Sequence, residues 1–498
     1  MKTQDTPGWR PRGTHLPLAP GLASARRTTR NESPCPPTRG TRPWHLFFAV
    51  LLAGTAACSE SPTENGAVDR DPDGAAALHV DAARGSDANA GTREAPFATI
   101  GAGIQRAATG QEIRVAGGSY PQAITLRSGV RIVGGYDGSS WQRTDAATFV
   151  GAGRVAVSGS NVSDVVLDGL IIQSADVSDA GVSSVALRLE NATGITIRSS
   201  RLLSGQGGNG TAGSDGEGGS VGSGGRAGQL PVACFPGVTR AGGAGGGSSF
   251  APGGAGGIGS TVDGGNGERG GGDNGGNGGS GGVRVGSAGA HGKHADPGAA
   301  GTRGENGRAG LSFGAVSGMT YQAANGDDGT SGSNGSGGGG GGGGAGAFGA
   351  CGSSGGGGGA GGSGGGAGMA GTGGGGSFGL IVAGGAVSLD RVEIVTRDGG
   401  IGGAGGSGGS GGDGGIGGSG RRNDGVLGAS GQGGNGGNGG TGGHGGGGGG
   451  GPSIGILEVG SPQVSLLAVS FNLGNGGSGG SSSGNPGQAG LRAERHSP

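Results

Sequence analysis

From about His79 the chain alternates short apolar pairs with polar punctuation: Ile113/Val115, Ile124/Leu126, Val130/Ile132, Val155/Val157 and Val165/Leu167, separated by Gly, Asn, Asp and Ser. Period-two runs of two to four residues are too short for a sandwich and suit the strands of a solenoid coil. A self-repeat sharpens this reading, because Val165, Leu167 and Ile172 recur 30 residues later as Ile195, Ile197 and Leu202. Neither coil can bury its apolar face alone, and stacking does so for both.

The same unit returns twice at long distance. GITIRSSRLLSGQGG (Gly194–Gly208), AVSLDRVEIVTRDGG (Ala386–Gly400) and QVSLLAVSFNLGNGG (Gln463–Gly477) align without gaps. Ile195, Val387 and Val464 share one column, Ile197, Leu389 and Leu466 the next, and Leu202, Ile394 and Phe471 a third. All three segments then run into Gly-Gly, so the glycine tracts are expected as insertions leaving one corner of successive coils. The opening segment HVDAARGSDANAGTREAPFATIGAGIQRA (His79–Ala107) and the later IVGGYDGSSWQRT (Ile132–Thr144) resemble the entry region and a turn of pectin-lyase-like proteins. That resemblance implies an all-β fold, a right-handed parallel β-helix, with the amphipathic stretch near 100–108 as its N-terminal cap. It bears on fold far more than on chemistry.

Composition changes the picture. Of 498 residues 146 are glycine and only 31% are hydrophobic, so most of the length cannot build an ordinary core. Between Gly399 and Gly420 the other residues fall every third position (Ile401, Ala404, Ser407, Ser410, Asp413, Ile416, Ser419), and Gln432, Asn435, Asn438, Thr441 and His444 keep the same rule. From Gly286 to Gly310 every third residue is glycine except Ala295. A three-residue period is that of the polyproline-II helix, which predicts bundles of polyglycine-II-like strands with GRRNDGVLGAS (Gly420–Ser430) as a reversal. The alternative is flexible low-complexity chain, since glycine is costly to order and offers little to bury. In their Gly-Gly-X rhythm the tracts resemble the repetitive domains of mycobacterial PE-PGRS proteins; the N-terminal domain of that family is not evident.

An address is written before the strands. Leu46–Ala57 (LFFAVLLAGTAA), preceded by Arg39 and Arg42, has the length of a secretory h-region and falls short of a bilayer span. Thr55-Ala56-Ala57-Cys58 resembles a bacterial lipobox, which implies lipidation at Cys58, attachment to a membrane through that anchor, and an outer-membrane or cell-surface location. The expected organisation is therefore an extension and signal peptide (1–58), a tether (59–77), the β-helix (78–204), a glycine-rich insertion (205–376), a coil (377–398), a second insertion (399–451), a coil (452–473) and a glycine-rich tail (474–498). Removal of Cys35 and lipidation of Cys58 leave Cys234 and Cys351, read either as a disulfide closing a long loop or as two free thiols.

Candidate chemistry is sparse. Basic and acidic residues number 33 and 34, a formal charge of -1, without the basic stripe of a nucleic-acid binder. Carboxylates that hold calcium or act as acid and base on β-helices would be sought at Asp164, Asp168, Asp390 and Glu393, with Arg391 beside them, yet each sits where a turn or solvent-facing strand carries charge anyway. Asp81, Asp87 and Asn89 offer oxygen donors for calcium or, more plainly, an Asx turn. His291 and His294 lie in the repeat without a partner cluster, so no metal site is assigned. With no catalytic residue assigned and no cofactor expected, the reading is a non-catalytic surface or adhesin-like lipoprotein meeting polysaccharide or other envelope components. The rival is a polysaccharide-binding or polysaccharide-degrading protein.

Overall fold

The alternating apolar residues pair as parallel strands, and the glycine tracts pair as something else. The computed structural model describes residues 77–498 apart from 236 and 423–424, so Cys58 and the expected signal peptide lie outside the described residues. Strands β1 (Leu78–Val80), β2 (Glu112–Ala116), β3 (Gly118–Tyr120), β4 (Ile124–Thr125) and β5 (Arg131–Tyr136) come first, with helix α1 (Ile100–Arg106) after β1. Next are β6 (Thr148–Val150), β7 (Val155–Ser160), β8 (Val166–Asp168), β9 (Ile171–Gln173), β10 (Ser184–Arg198) and β11 (Arg201–Leu203). Two antiparallel hairpins, β12 (Arg284–Val285) with β13 (Ala288–Gly289) and β14 (Ala315–Ser317) with β15 (Thr320–Gln322), lie within the first glycine region. The chain closes with β16 (Ser377–Asp390), β17 (Glu393–Thr396), β18 (Ser453–Val459), β19 (Gln463–Leu467), β20 (Ser470–Leu473) and β21 (Arg492–His496).

An 11-stranded sheet follows the path β1-β2-β5-β8-β10-β16-β18-β21, with β19 beside β16 and the pair β4-β7 joined to β10. A 6-stranded sheet runs β20-β17-β11-β9-β6-β3. The columns foreseen from the repeat are register pairs: Leu167, Ile197, Leu389 and Leu466 lie side by side, as do Ile172, Leu202, Ile394 and Phe471, and Ile195, Val387 and Val464. Each fully buried Leu or Ile in these rows contributes about 1.5–3 kcal/mol by leaving water. The turn from the large sheet into the small one repeats with a left-handed residue in each layer, Gly169, Ser199, Arg391 and Ala468, at φ 68°, 46°, 51° and 51°.

The fold class needs correction. An all-β, right-handed parallel β-helix was expected, and among the described residues the structure shows instead a largely parallel-strand, α/β-like arrangement divided among several sheets with one helix. No helical solenoid is defined among the described residues. Short strands were expected throughout, but β10 and β16 run for 15 and 14 residues. The physical reason is that β10 takes up a bulge between Ala192 and Ile195, so one strand serves β7 with its first half and β8 with its second. The tail, read as glycine-rich only, ends in β21, which pairs with β18. Helix α1 starts where the Thr99 hydroxyl accepts the Ala102 amide, 3.2 Å away, and lays Ile100 and Ile104 on the first strands. Gly103 allows that approach, because a Cβ there would press on Ile113 and Val80.

Beyond the sheets the parallel ladders continue without side chains. Ser204 and Gly207 donate to the carbonyls of Val395 and Asp398, and Gly210, Gly213 and Gly216 carry on to Ile401, Ala404 and Ser407 at 2.7–2.8 Å. Hydrogen bonds at every third residue mean three residues per turn, so successive residues face three directions. Around the innermost strand all three directions are filled. Gly340, Gly341 and Gly342 donate to Glu268, Gly356 and Lys293, and accept from Gly279, Gly257 and Gly431, all at 2.8–2.9 Å. Six segments thus enclose one, and a Cβ at any of the three glycines would fall closer than 3.0 Å to a carbonyl of a neighbour, Ala255, Gly431 or Ser280.

Glycine frequency therefore reports how many sides of a strand are covered. The stretch 337–344 is all glycine and wholly buried. In 401–419 two residues in three are glycine, and the third, such as Ser407 or Asp413, is exposed. In 209–225 the packed position is glycine at every third residue, Gly210 through Gly225, and most residues between are exposed. Gly286, read from sequence as part of the 286–310 register, is instead the turn of β12–β13, with φ 62°. The shaft so formed is pinned at its far end, where Cys234 and Cys351 are joined as a disulfide with Cα atoms 5.5 Å apart across 117 residues of sequence.

Replacing Gly340 or Gly341 by Ala is expected to destabilise the protein by about 1–3 kcal/mol or more, as overpacking does. Ser410→Ala and Ile416→Ala, at exposed shaft positions, should stay within about 0.5 kcal/mol. Denaturant melts of the four variants check this, and equal losses at both kinds of position would contradict the packing rule.

Candidate functional site

The sheet face around β8, β10 and β16 gathers the carboxylates singled out from sequence. Register places Asp168, Arg198 and Asp390 in one row. Asp168 is buried, yet Arg143 reaches it at 2.6 and 3.1 Å and Arg198 at 2.7 Å. Burial alone would raise its pKa; the two guanidiniums outweigh this and hold the carboxyl below its ordinary range. Asp390 faces Arg391 at 2.9 Å, and Glu393 faces Arg201 at 2.5 Å. Asp164 sits at a left-handed turn, φ 56°, against Gly194. Acid–base cleavage of a glycosidic bond needs one carboxyl poised to give up a proton; Asp168, Asp390 and Glu393 are each matched to a cation.

Beside this row lies a shallow trough of about 410 Å³ over β10, β16 and β19. It is lined by Gly194, Thr196, Ala386, Ser388, Gln463 and Ser465 together with Ile195, Val387 and Val464. Thr196, Ser388 and Ser465 stand in one register row, so the hydroxyls repeat at the spacing of neighbouring strands, about 4.8 Å.

The entry segment uses its oxygens for shape. Asp81 accepts the amides of Ala83 and Arg84 and pairs with the Arg84 guanidinium at 2.7 Å. Asp87 accepts from the Ala98 and Thr99 amides at 3.0 and 2.9 Å and from the Thr99 hydroxyl, and the Asn89 amide group donates to Pro96. Next to them Trp141 is buried, donates to the Arg93 carbonyl and meets His79 edge-on at 4.5 Å. Tyr120 donates to the Ala116 carbonyl at 3.0 Å, and burial pushes its phenol up to about 12.

Many polar residues of the glycine repeats have partners too. Where a shaft strand ends its contact with a neighbour, a side chain takes over the orphaned amide. Gly402 and Gly405 donate to Ser478 and Ser481 of the tail. Farther along the same strand Gly408, Gly414 and Gly417 donate to His444 Nδ1, Asn438 Oδ1 and Asn435 Oδ1 at 2.9 ± 0.1 Å. His291 and His294 act alike, their Nδ1 atoms accepting the Ala429 and Gln432 amides at 2.8 and 2.9 Å. Asn209, Asp215, Asp328 and Asn334 repeat the pattern. Among the described residues no group of three or more His, Cys, Asp or Glu side chains converges on a metal position, and no helix is long and apolar enough to cross a membrane.

Sequence reasoning passed over one set entirely. At the seam between sheets and shaft, buried hydroxyls pair layer by layer: Ser174 with Ser184 (2.8 Å), Ser204 with Ser377 (2.8 Å), Thr396 with Ser453 (2.7 Å). The second member of each also donates to a carbonyl, of Ala175, Gly205 or Arg397. In the last layer Leu473 and Arg492 stand at these places, and the Arg492 guanidinium donates to the carbonyls of Leu473 and Gly474. The signal was present, since Ser204, Thr396 and Leu473 occupy one column of the aligned repeats. Comparison with protein-family models, curated proteins and solved structures finds no match to this chain, so the likenesses read from sequence rest on the residues quoted for them.

Burial lowers the His79 pKa to about 4 from an ordinary 6.5, and the exposed unfolded chain takes up that proton first. Its contribution is therefore whole above pH 6.5 and is lost as pH falls toward 4. His496 is lowered by burial as well and acts in the same direction. Melting midpoints recorded from pH 7 to 4 should fall, and His79→Gln should flatten the slope; a slope untouched by the substitution would assign the pH dependence elsewhere.

Proposed function

We propose that this chain is a non-catalytic structural protein of the cell surface, adhesin-like in build, exported and tethered to a membrane through a lipid on Cys58. One observation carries the reading: many of the polar side chains of the repeats bond to the shaft itself. Asn435, Asn438, His444, His291, His294 and Asp215 hold backbone amides of neighbouring strands, and the sheet-face carboxylate Asp168 is held by two arginines. Groups committed in this way build and stiffen an object, whereas a catalytic group must change partners during a reaction. A shaft strand of about 20 residues at about 3.1 Å per residue reaches roughly 60 Å from the sheets, a length suited to holding its far end away from an anchored base.

The hydroxyl-lined trough over Thr196, Ser388 and Ser465 favours a second reading, a weak polysaccharide-binding face. Purified protein incubated with a polysaccharide panel, with and without calcium, separates the two. No turnover is expected in any arm; product formation that stops in Asp390→Asn would overturn the proposal. The doubly substituted Asn435→Ala, Asn438→Ala protein should melt earlier, by about 0.5–1.5 kcal/mol per lost hydrogen bond, with any glycan retention unchanged.

A further inference from the structure

The far end of the glycine shaft carries a different surface from its sides. The described residues of five reversals meet there: 230–235 with 237–239, 260–263, 283–288, 347–350, and 421–422 with 425–428. Backbone hydrogen bonds tie them together, from Cys234 to Gly349, Cys351 to Val232, Gly346 to Val262 and Gly289 to Val426, and the Cys234–Cys351 disulfide locks the first to the fourth. Among the described residues eighteen large apolar side chains are exposed, and nine of them stand on these reversals. Phe235, Val285 and Phe348 are 83%, 73% and 72% exposed. Apolar groups scattered singly need no explanation, but a cluster on one end does.

Phe348 is placed there at a cost. It occupies, with Gly349, a two-residue reversal whose flanking Ala347 and Ala350 exchange hydrogen bonds, and both central residues are left-handed, at φ 47° and 81°. Such a turn favours Asn-Gly or Asp-Gly, and a bulky residue at its first position is strained. Folding alone would have chosen Asn. Charge is sorted as well: Arg226, Arg240, Arg284, Arg421 and Arg422 lie on or beside the reversals against Asp263 and, in sequence, Asp424, five positive to two negative or a net +3. Along the shaft the balance reverses, with Asp215, Glu217, Asp327, Asp328 and Asp413 on its sides.

From this arrangement we infer that the far end of the shaft docks on an anionic lipid surface. The apolar side chains enter the acyl boundary and the surrounding arginines meet the headgroups. Protruding phenyl and aliphatic groups need a receiving medium that deforms around them, which a fluid bilayer does without a preformed pocket. The guanidiniums select negative headgroups, and salt weakens that selection.

The test is made in the full chain with Cys58→Ser, so that no lipid anchor contributes, and with Phe348→Trp as a local probe read against the same chain without it. With vesicles of phosphatidylglycerol the added indole fluorescence should shift to the blue and be quenched by brominated acyl chains. With phosphatidylcholine vesicles, or in high salt, both effects should shrink several-fold. Phe348→Asn suits the turn, so it should keep or raise the melting temperature while lowering vesicle partition about tenfold when combined with Phe235→Ser. An unquenched probe in anionic vesicles overturns the inference, as does equal quenching by both lipids. Concentration-dependent association in sedimentation that Phe348→Asn abolishes overturns it too, since the occupant is then a second copy of the chain.

Discussion

Backbones in the shaft lie side by side only because nothing projects between them. A single methyl group on Gly340 would collide with the carbonyl of Ala255, and the same holds for nearly every glycine that faces a neighbour. From this exclusion follow the composition, the phase and the hydrogen bonding. With side chains absent, apolar burial cannot hold the strands, and the stabilising term is the pairing of donor and acceptor on every enclosed residue. Each such bond contributes about 0.5–1.5 kcal/mol net, against about 1–2 kcal/mol to fix a residue's backbone. An isolated glycine strand therefore stays unfolded. Only strands with partners on several sides approach balance, and the all-glycine stretch 337–344 is buried throughout.

The sheets give the shaft its register. Apolar rows such as Leu167, Ile197, Leu389 and Leu466 bring segments distant in sequence into alignment, and the ladder that begins in β11 and β17 continues into glycine without interruption. The buried hydroxyl pairs at the seam satisfy carbonyls where the two pairing systems meet, so the change of geometry leaves those groups bonded. Outside, Asn, Asp, Ser, Thr and His close the amides that no strand covers, a role that capping side chains also fill at helix ends.

Much of this was legible from residue order, and for definite reasons. The column of Ile195, Val387 and Val464 could be read because period-two burial leaves the same imprint wherever it occurs. The three-residue phase could be read because only glycine fits the packed positions. Fold class was misjudged, since nothing local signals that β10 runs through Asn191 as a bulge or that β21 forms at the chain end; both depend on partners far away in sequence. The partners of Asp168 escaped for the same reason: Arg143 lies on a different turn, 25 residues earlier.

The threefold phase also constrains how such a gene can change. One codon added within 401–419 would rotate every later residue of that strand by a third of a turn, swinging Ser410 or Asp413 into the seam now held by glycine. Three codons, by contrast, leave the phase intact and merely shift the pairing along the strand. Inheritable length variation in these segments should thus come in steps of nine nucleotides, with drift in the exposed third residue tolerated and drift in the glycines purged.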